Sequence, residues 1–297
     1  MRIGVDLGGT KIEVIALGES DRVLEPPVRV PTPRDDYALT VRAIVGLVEA
    51  LESRLGASGT VGMGIPGAIS RRSGLVKNAN SVWLNGKPLD RDLEVALGRP
   101  VRIANDANCF ALSEATDGAA RGADVVFGVI LGTGVGGGLV VRGREIEGAS
   151  SIAGEWGHNP LPWPADEERP GPPCYCGKHG CIETFLSGPA LARDHGGGKT
   201  AHEVAALASA SDPAATAALD RYVDRLARAL ATVIDVVDPD VVVLGGGMSN
   251  VDALIREVPS RWGRWVFSDA VDTRLVRAEH GDSSGVRGAA RLWPLSS

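Results

Sequence analysis

The chain opens with apolar residues at alternating positions. Ile3, Val5 and Leu7 lead into Gly8-Gly9, and Ile12, Val14 and Ile15 follow, which predicts strand, glycine turn, strand over 2–17. Between 36 and 55 the period lengthens: Val41, Ile44, Val45, Val48, Leu51 and Leu55 have helical spacing. Short strands are predicted at 61–65 and 101–104, with helical segments near 90–97 and 106–119. A second strand–turn–strand block occupies 124–141. Residues 160–180 are rich in Pro and Gly and read as an irregular loop. A long helix is predicted over 213–237, with Ala218, Tyr222, Leu226, Leu230, Val233 and Val237 on one stripe, and it stops before Pro239. A buried strand at 241–244 runs into Gly245, Gly246 and Gly247. The run from Val286 to Trp293 reads as a last helix, entered through Ser283-Ser284-Gly285.

The two glycine-turn blocks share a layout. IGVDLGGTKIEVIAL and FGVILGTGVGGGLVV each place a turn with Leu-Gly and Thr between apolar strands. An approximate duplication predicts two related α/β lobes facing a cleft. The competing explanation is coincidence between two hairpins.

Composition narrows the class. A length of 297 residues fits two ordinary domains. A net charge of −6 with no compact basic run argues against a nucleic-acid surface. The start MRIGVDLGGT has no secretory or transit pattern, and no apolar stretch approaches the ~20 residues that span a bilayer. A cytoplasmic protein without membrane contact is the expectation. Of four cysteines, Cys174, Cys176 and Cys181 crowd together, and without a secreted context a metal site explains them better than disulfides.

Several motifs carry chemistry. In Asp6-Leu7-Gly8-Gly9-Thr10-Lys11 the glycines let backbone N–H groups approach phosphate, while Thr10 and Lys11 add a hydroxyl and a charge. Asp6 at the strand end suits Mg²⁺ held through water. A plain tight hairpin with a capping Asp is the alternative. The motif is neither GxxxxGK[ST] nor GxGxxG, so another architecture must hold any nucleotide. Gly132, Thr133 and Gly134 form a second such turn, with Ile130 where the first has Asp6, and Gly245, Gly246 and Gly247 form a third at a strand end. Three such turns together favour a nucleotide.

Asn105-Asp106 opens a helix after a strand, a place where a carboxylate can accept the proton of an attacking hydroxyl. Asp106 could equally serve only the helix N-terminus. Three thiolates and an imidazole make a closed tetrahedral zinc site, so His158 joins Cys174, Cys176 and Cys181, with His179 as the rival fourth ligand. Glu155 and Glu183, held beside that knot, can hydrogen-bond sugar hydroxyls, unless both are solvated surface acids. Cys109 reads as a small buried residue.

DLGGTK, IPG at 65–67, NDAN at 105–108, LGTGVGGG at 131–138, AGEWGH at 153–158, CYCGKHGCIE at 174–183 and LGGGMS at 244–249 together make the chain resemble the ROK family (repressors, open reading frames and sugar kinases). The resemblance runs over essentially the whole length. It implies the duplicated actin/hexokinase/Hsp70-like (ribonuclease H-like) ATPase fold. The expected lobes are 1–119 with a C-terminal helix segment 284–297, and 120–283 with the zinc loop 158–181. PTPRDDY at 31–37, NANSVWLNG at 78–86, GHNPLPW at 157–163 and HGDSSGVRGAA at 280–290 look most like the bacterial fructokinase branch. The implied activity is transfer of the ATP γ-phosphoryl group to the 6-hydroxyl of D-fructose, with slower use of mannose or glucose, and a kinase for glucose or an N-acetylated hexosamine is the alternative.

Carried over by motif, Asp106 matches the general base. Asn105, Asp106, Glu155, His158 and Glu183 match sugar ligands, and His158 also matches the zinc ligand with Cys174, Cys176 and Cys181. Gly8, Gly9, Thr10, Lys11, Gly132, Thr133, Gly134, Gly245, Gly246 and Gly247 match the nucleotide turns. ATP, Mg²⁺, a structural Zn²⁺ and a homodimer are the implied partners. A sugar-responsive regulator of the same family is the rival from another class; its DNA-binding segment would precede the core, and only five residues precede Asp6 here.

Overall fold

The computed structural model describes residues 1–294. The chain forms two compact units: Met1–Glu114 with Arg144–Ala153 and the residues from Ser283 on, and Ala115–Gly143 with Gly154–Asp282. Residues 144–153 therefore group with the first unit rather than with the expected 120–283 block. Of the expected segment 284–297, residues 295–297 lie outside the described residues. Among the described residues, no helix is long and apolar enough to cross a membrane.

In the first unit, Arg2–Leu7 and Lys11–Leu17 pair antiparallel with Asp6 opposite Glu13. Thr60–Ile65 and then Val101–Asn105 extend the sheet in parallel, and Val28–Pro31 closes its other edge. The alternating side chains Ile3, Val5, Ile12 and Val14 are buried with Ile44, Val48 and Leu51 of the helix Tyr37–Leu55. That helix starts where the Asp36 carboxylate accepts the Leu39 N–H and ends at Gly56, whose φ of 63° a side chain would strain.

The helix Ser284–Arg291 approaches the same sheet as closely as backbone allows. A Cβ on Gly4 would overlap the Val286 carbonyl, and one on Gly62 would overlap the Ala289 carbonyl. Gly288 meets the Cys109 carbonyl in the same way, which locks this helix to Asp106–Thr116. The predicted extension of that helix to 119 does not form.

The second unit repeats the plan. Val125–Leu131 and Val135–Val141 pair antiparallel, and Val241–Gly245 and Arg274–Arg277 continue in parallel. In both units, then, a glycine-turn hairpin is followed by two parallel strands. The helix Pro213–Val237 lays Tyr222, Leu226 and Leu230 into a core with Val242 and Leu244, and the Tyr222 hydroxyl donates to the Leu186 carbonyl at 2.6 Å.

The same helix anchors the cysteine-bearing loop through a buried ion-pair set. Arg225 Nε donates to Glu168 Oε1 at 2.7 Å, and Arg228 donates to both Glu168 oxygens at 2.9 Å. Burial alone would raise the Glu168 carboxyl, but the hydrogen bonds from Arg228 and Arg225 prevail and hold it at about 2 instead of the usual 4.5. A depressed carboxyl stabilises the fold above its unfolded pKa and loses that contribution as pH falls through the folded one. Glu168→Gln is therefore expected to lower Tm at pH 7 and to flatten the fall in Tm between pH 4.5 and 2. Thermal melts of both proteins across that range check this; parallel curves would remove Glu168 from the acid response.

Candidate functional site

In the first unit the Asp6 carboxylate sits at the end of the first strand, walled in by glycines. A Cβ on Gly64 would stand 3.6 Å from Asp6 Oδ1 and 3.6 Å from the Asp106 Cα, and one on Gly285 would stand 3.4 Å from Asp6 Oδ2. Asp6 and Asp106 thus flank one strand end. Burial, followed by the charge on Glu13, pushes the Asp6 carboxyl up to about 6. A bound cation would relieve that penalty, so the residue fits Mg²⁺ chemistry.

The turn after Asp6 is closed by the Gly8 N–H donating to the Lys11 carbonyl at 2.9 Å. The Thr10 carbonyl accepts from the Thr32 N–H at 3.0 Å, and the Lys11 ammonium lies 3.5 Å from the buried Glu13. Asn105 is committed to backbone: its Nδ2 donates to the Gly67 carbonyl at 3.2 Å and its Oδ1 accepts from the Ala107 N–H at 2.9 Å. Asp106 Oδ1 accepts the same N–H at 2.8 Å as it begins the helix.

Motif reading passed over Ser81. It is buried, its Oγ has no hydrogen-bond partner among the described residues, and it would lie 3.5 Å from a Cβ on Gly9. Its place in NANSVWLNG, just before the apolar Val82-Trp83-Leu84 turn, was the available signal.

In the second unit, the second and third glycine turns line one cavity of about 1180 Å³. Gly132, Thr133 and Gly247 form its edge, and Pro189, Lys199 and His202 contribute from the segments beyond Gly188. Gly246 brings the turns together. Its φ is 78° and a Cβ there would stand 2.5 Å from the Leu131 carbonyl, so no side chain fits. The size suits a nucleotide, and the open glycine edge suits phosphate. Helix Ala201–Ser209 on this cavity has no sequence forecast; its Thr200 and Glu203 capping box was the available sign.

The cysteine loop converges as its spacing required. Ligand atoms of His158, Cys174, Cys176 and Cys181 all lie within 4.8 Å of one another. Cys176 Sγ is 3.6 Å from Cys181 Sγ, and Cys174 Sγ is 3.6 Å from His158 Nδ1. A tetrahedron with Zn–S bonds of about 2.3 Å has edges of about 3.8 Å, so the donor set fits zinc. His179 is outside this cluster and instead bridges to Pro173. Cys109 is buried, and burial raises its thiol well above the ordinary range, with the charges on Glu145, Asp6 and Asp106 adding to that.

Each acid lies beside an anchored part of the chain. Glu183 follows Cys181 by two residues, and its Oε2 accepts the Val135 N–H at 2.8 Å, pressed against Gly134 of the second turn. Glu155 precedes Trp156, whose indole N–H donates to the Gly136 carbonyl at 3.0 Å. The imidazole of His158 turns Nδ1 to the thiols, while Nε2 lies 3.0 Å from the Tyr175 hydroxyl.

The chain is 44% identical to the N-acetyl-D-glucosamine kinase of Escherichia coli over 300 residues, covering 98% of this chain and 99% of that protein. Its structure resembles a ROK hexokinase from Thermus thermophilus with a TM-score of 0.85 at 34% identity, over 97% of this chain and 96% of that one. A ROK family glucokinase from Streptomyces griseus, solved with glucose and AMPPNP, gives 0.81 at 28% identity, over 99% of each. The fold is thus the actin/hexokinase-like fold of these kinases. The ROK family profile matches residues 2–295, and the chain belongs to the ROK family.

Proposed function

We propose that this protein is an ATP-dependent hexose kinase that phosphorylates the 6-hydroxyl of its sugar. The observation that carries this is the bond from the Val135 N–H to Glu183: one carboxylate ties the cysteine loop to a glycine turn that borders the nucleotide-sized cavity. A sugar ligand and a phosphate-facing turn are thereby parts of one rigid body. Asp106 orients the primary hydroxyl and accepts its proton. Glu155, His158 and Glu183 hold the ring, and Asn105 supports that position through the Gly67 turn. Asp6 is the residue suited to Mg²⁺, which supplies charge neutralisation at the phosphates. Zn²⁺ on His158, Cys174, Cys176 and Cys181 would fix Glu183 in place.

The 44% identity to an N-acetyl-D-glucosamine kinase makes N-acetylglucosamine the first sugar to test. Fructose is the second reading, favoured by NANSVWLNG and HGDSSGVRGAA in the sequence. A cytoplasmic homodimer belongs to the same proposal. Coupled ADP release with ATP and Mg²⁺ across N-acetylglucosamine, glucose, mannose, fructose and N-acetylmannosamine decides it. One hexose is expected to stand out in kcat/KM. Silence with all five, from folded and zinc-loaded protein, would overturn the kinase assignment.

A further inference from the structure

Glu13 is a fully buried acid with no part in the reaction described above. Its place follows from strand register. Asp6 of the first strand lies directly opposite Glu13 of the second, and Glu13 lies directly opposite Arg29 of the edge strand Val28–Pro31. Directly opposite residues share one face of a sheet, and like charges in that relation destabilise it. An apolar residue in place of Glu13 would avoid both the repulsion and the cost of burying a charge.

The partners of Glu13 show what the acid does. Arg29 takes both oxygens, its terminal NH2 group donating to Oε1 at 3.1 Å and its Nε to Oε2 at 2.8 Å. The Ser283 hydroxyl adds a longer bond to Oε1 at 3.4 Å. Oε2 also has the Lys11 ammonium 3.5 Å away. Lys11 is two residues before Glu13 on the same strand, so both side chains rise from one face. Its carbonyl closes the first glycine turn by accepting the Gly8 N–H. An acid fixed by Arg29 thus reaches the cation that ends this turn. Arg29 already neutralises Glu13, so the fold does not need Lys11 there. A lysine left alone spreads over many rotamers, whereas an ammonium anchored on one side keeps its other donors for phosphate oxygens.

We infer that Glu13 is a positioning residue for the phosphoryl donor: clamped by Arg29, it holds the Lys11 ammonium at the first glycine turn, where it meets the phosphates. This rests on the kinase reading above, with that turn facing the nucleotide.

The test is a double-mutant cycle of Glu13→Gln and Lys11→Met, read as the Kd of Mg²⁺·AMPPNP by titration calorimetry, with adenosine as control. The direction of the change separates two roles. Glutamine removes a negative charge beside a site for a polyanion, so an acid acting only through its field would leave nucleotide bound more tightly without it. Positioning of Lys11 requires the opposite. Glu13→Gln is expected to raise Kd roughly tenfold, the scale of one charge-assisted hydrogen bond, and Lys11→Met is expected to bind equally with or without the Glu13 change. Adenosine Kd should stay the same throughout. Tighter or unchanged nucleotide binding in Glu13→Gln overturns the inference. So do effects that add in the double variant, which would make Glu13 a structural prop. If glutamine unfolds the protein, Glu13→Asp takes its place in the cycle; it keeps the charge, draws the carboxylate one methylene away from Lys11, and should weaken binding only while Lys11 is present. A wild-type protein that binds no Mg²⁺·AMPPNP fails instead at the kinase reading, so the wild-type titration tells the two failures apart.

Discussion

Replacing Asp106 by asparagine is expected to lower kcat by about 10²- to 10⁴-fold, the range of a lost general base, while the protein stays folded. The structure explains why the two effects separate. Asp106 Oδ1 accepts the Ala107 N–H at the start of its helix, and an asparagine oxygen can accept the same bond. The substitution therefore removes the ability to take a proton and keeps the local cap. Sugar KM should move little, because the ring is held elsewhere. Steady-state kinetics with a thermal melt of the same sample check both halves. A variant turning over within tenfold of wild type would move the base to another residue, with Asp6 at the same strand end the next carboxylate to examine.

The second large effect is expected from the cysteine loop. Removing the metal with a chelator, or replacing Cys181 by serine, should lower Tm by roughly 10 °C or more, since each kcal/mol is about 2–4 °C in a domain of this size. Cys181 is buried and pairs by its backbone with Pro160, and the next residue, Ile182, donates its N–H to the Asn159 carbonyl at 2.8 Å. Losing the metal releases both strands of this crossing. Glu183 lies immediately after, so sugar affinity should fall together with Tm. Metal analysis of fresh protein should find close to one zinc per chain. A metal-free protein with wild-type Tm and sugar affinity would show that the four side chains meet without holding an ion that matters.

Most strands and long helices were legible because each carries one period over enough residues. Val41 to Leu55 and Ala218 to Val237 repeat at helical spacing, and the structure has helices at Tyr37–Leu55 and Pro213–Val237. The glycine hairpins were equally clear. Asp252–Trp262 was hidden by Pro259, a breaker that the helix accommodates near its end. Arg274–Arg277 alternates over too few residues, and its parallel partner Val241–Gly245 is supplied only by the fold.

The candidate site was legible where chemistry demands particular residue types. Three thiols in eight residues announced a cluster, and the structure brings their ligand atoms together with His158. What stayed hidden were residues defined by neighbours far along the chain. Nothing near Ser81 says that it lies over Gly9, and nothing near Tyr175 says that its hydroxyl reaches His158. The grouping of 144–153 with the first unit was hidden for the same reason.

The seating of Ser284–Arg291 against Gly4 and Gly62 has a consequence for biosynthesis. The strand Arg2–Leu7 leaves the ribosome about 280 residues before the helix that covers it. At about 5–20 residues per second the gap is roughly 15 to 60 seconds. The second unit, whose segments run to Asp282, is itself complete only as that helix begins to emerge. The nascent chain therefore carries the first sheet with this face uncovered for the whole interval. The backbone face of Gly4 and Gly62 is the surface a chaperone would have to shield until that helix has emerged.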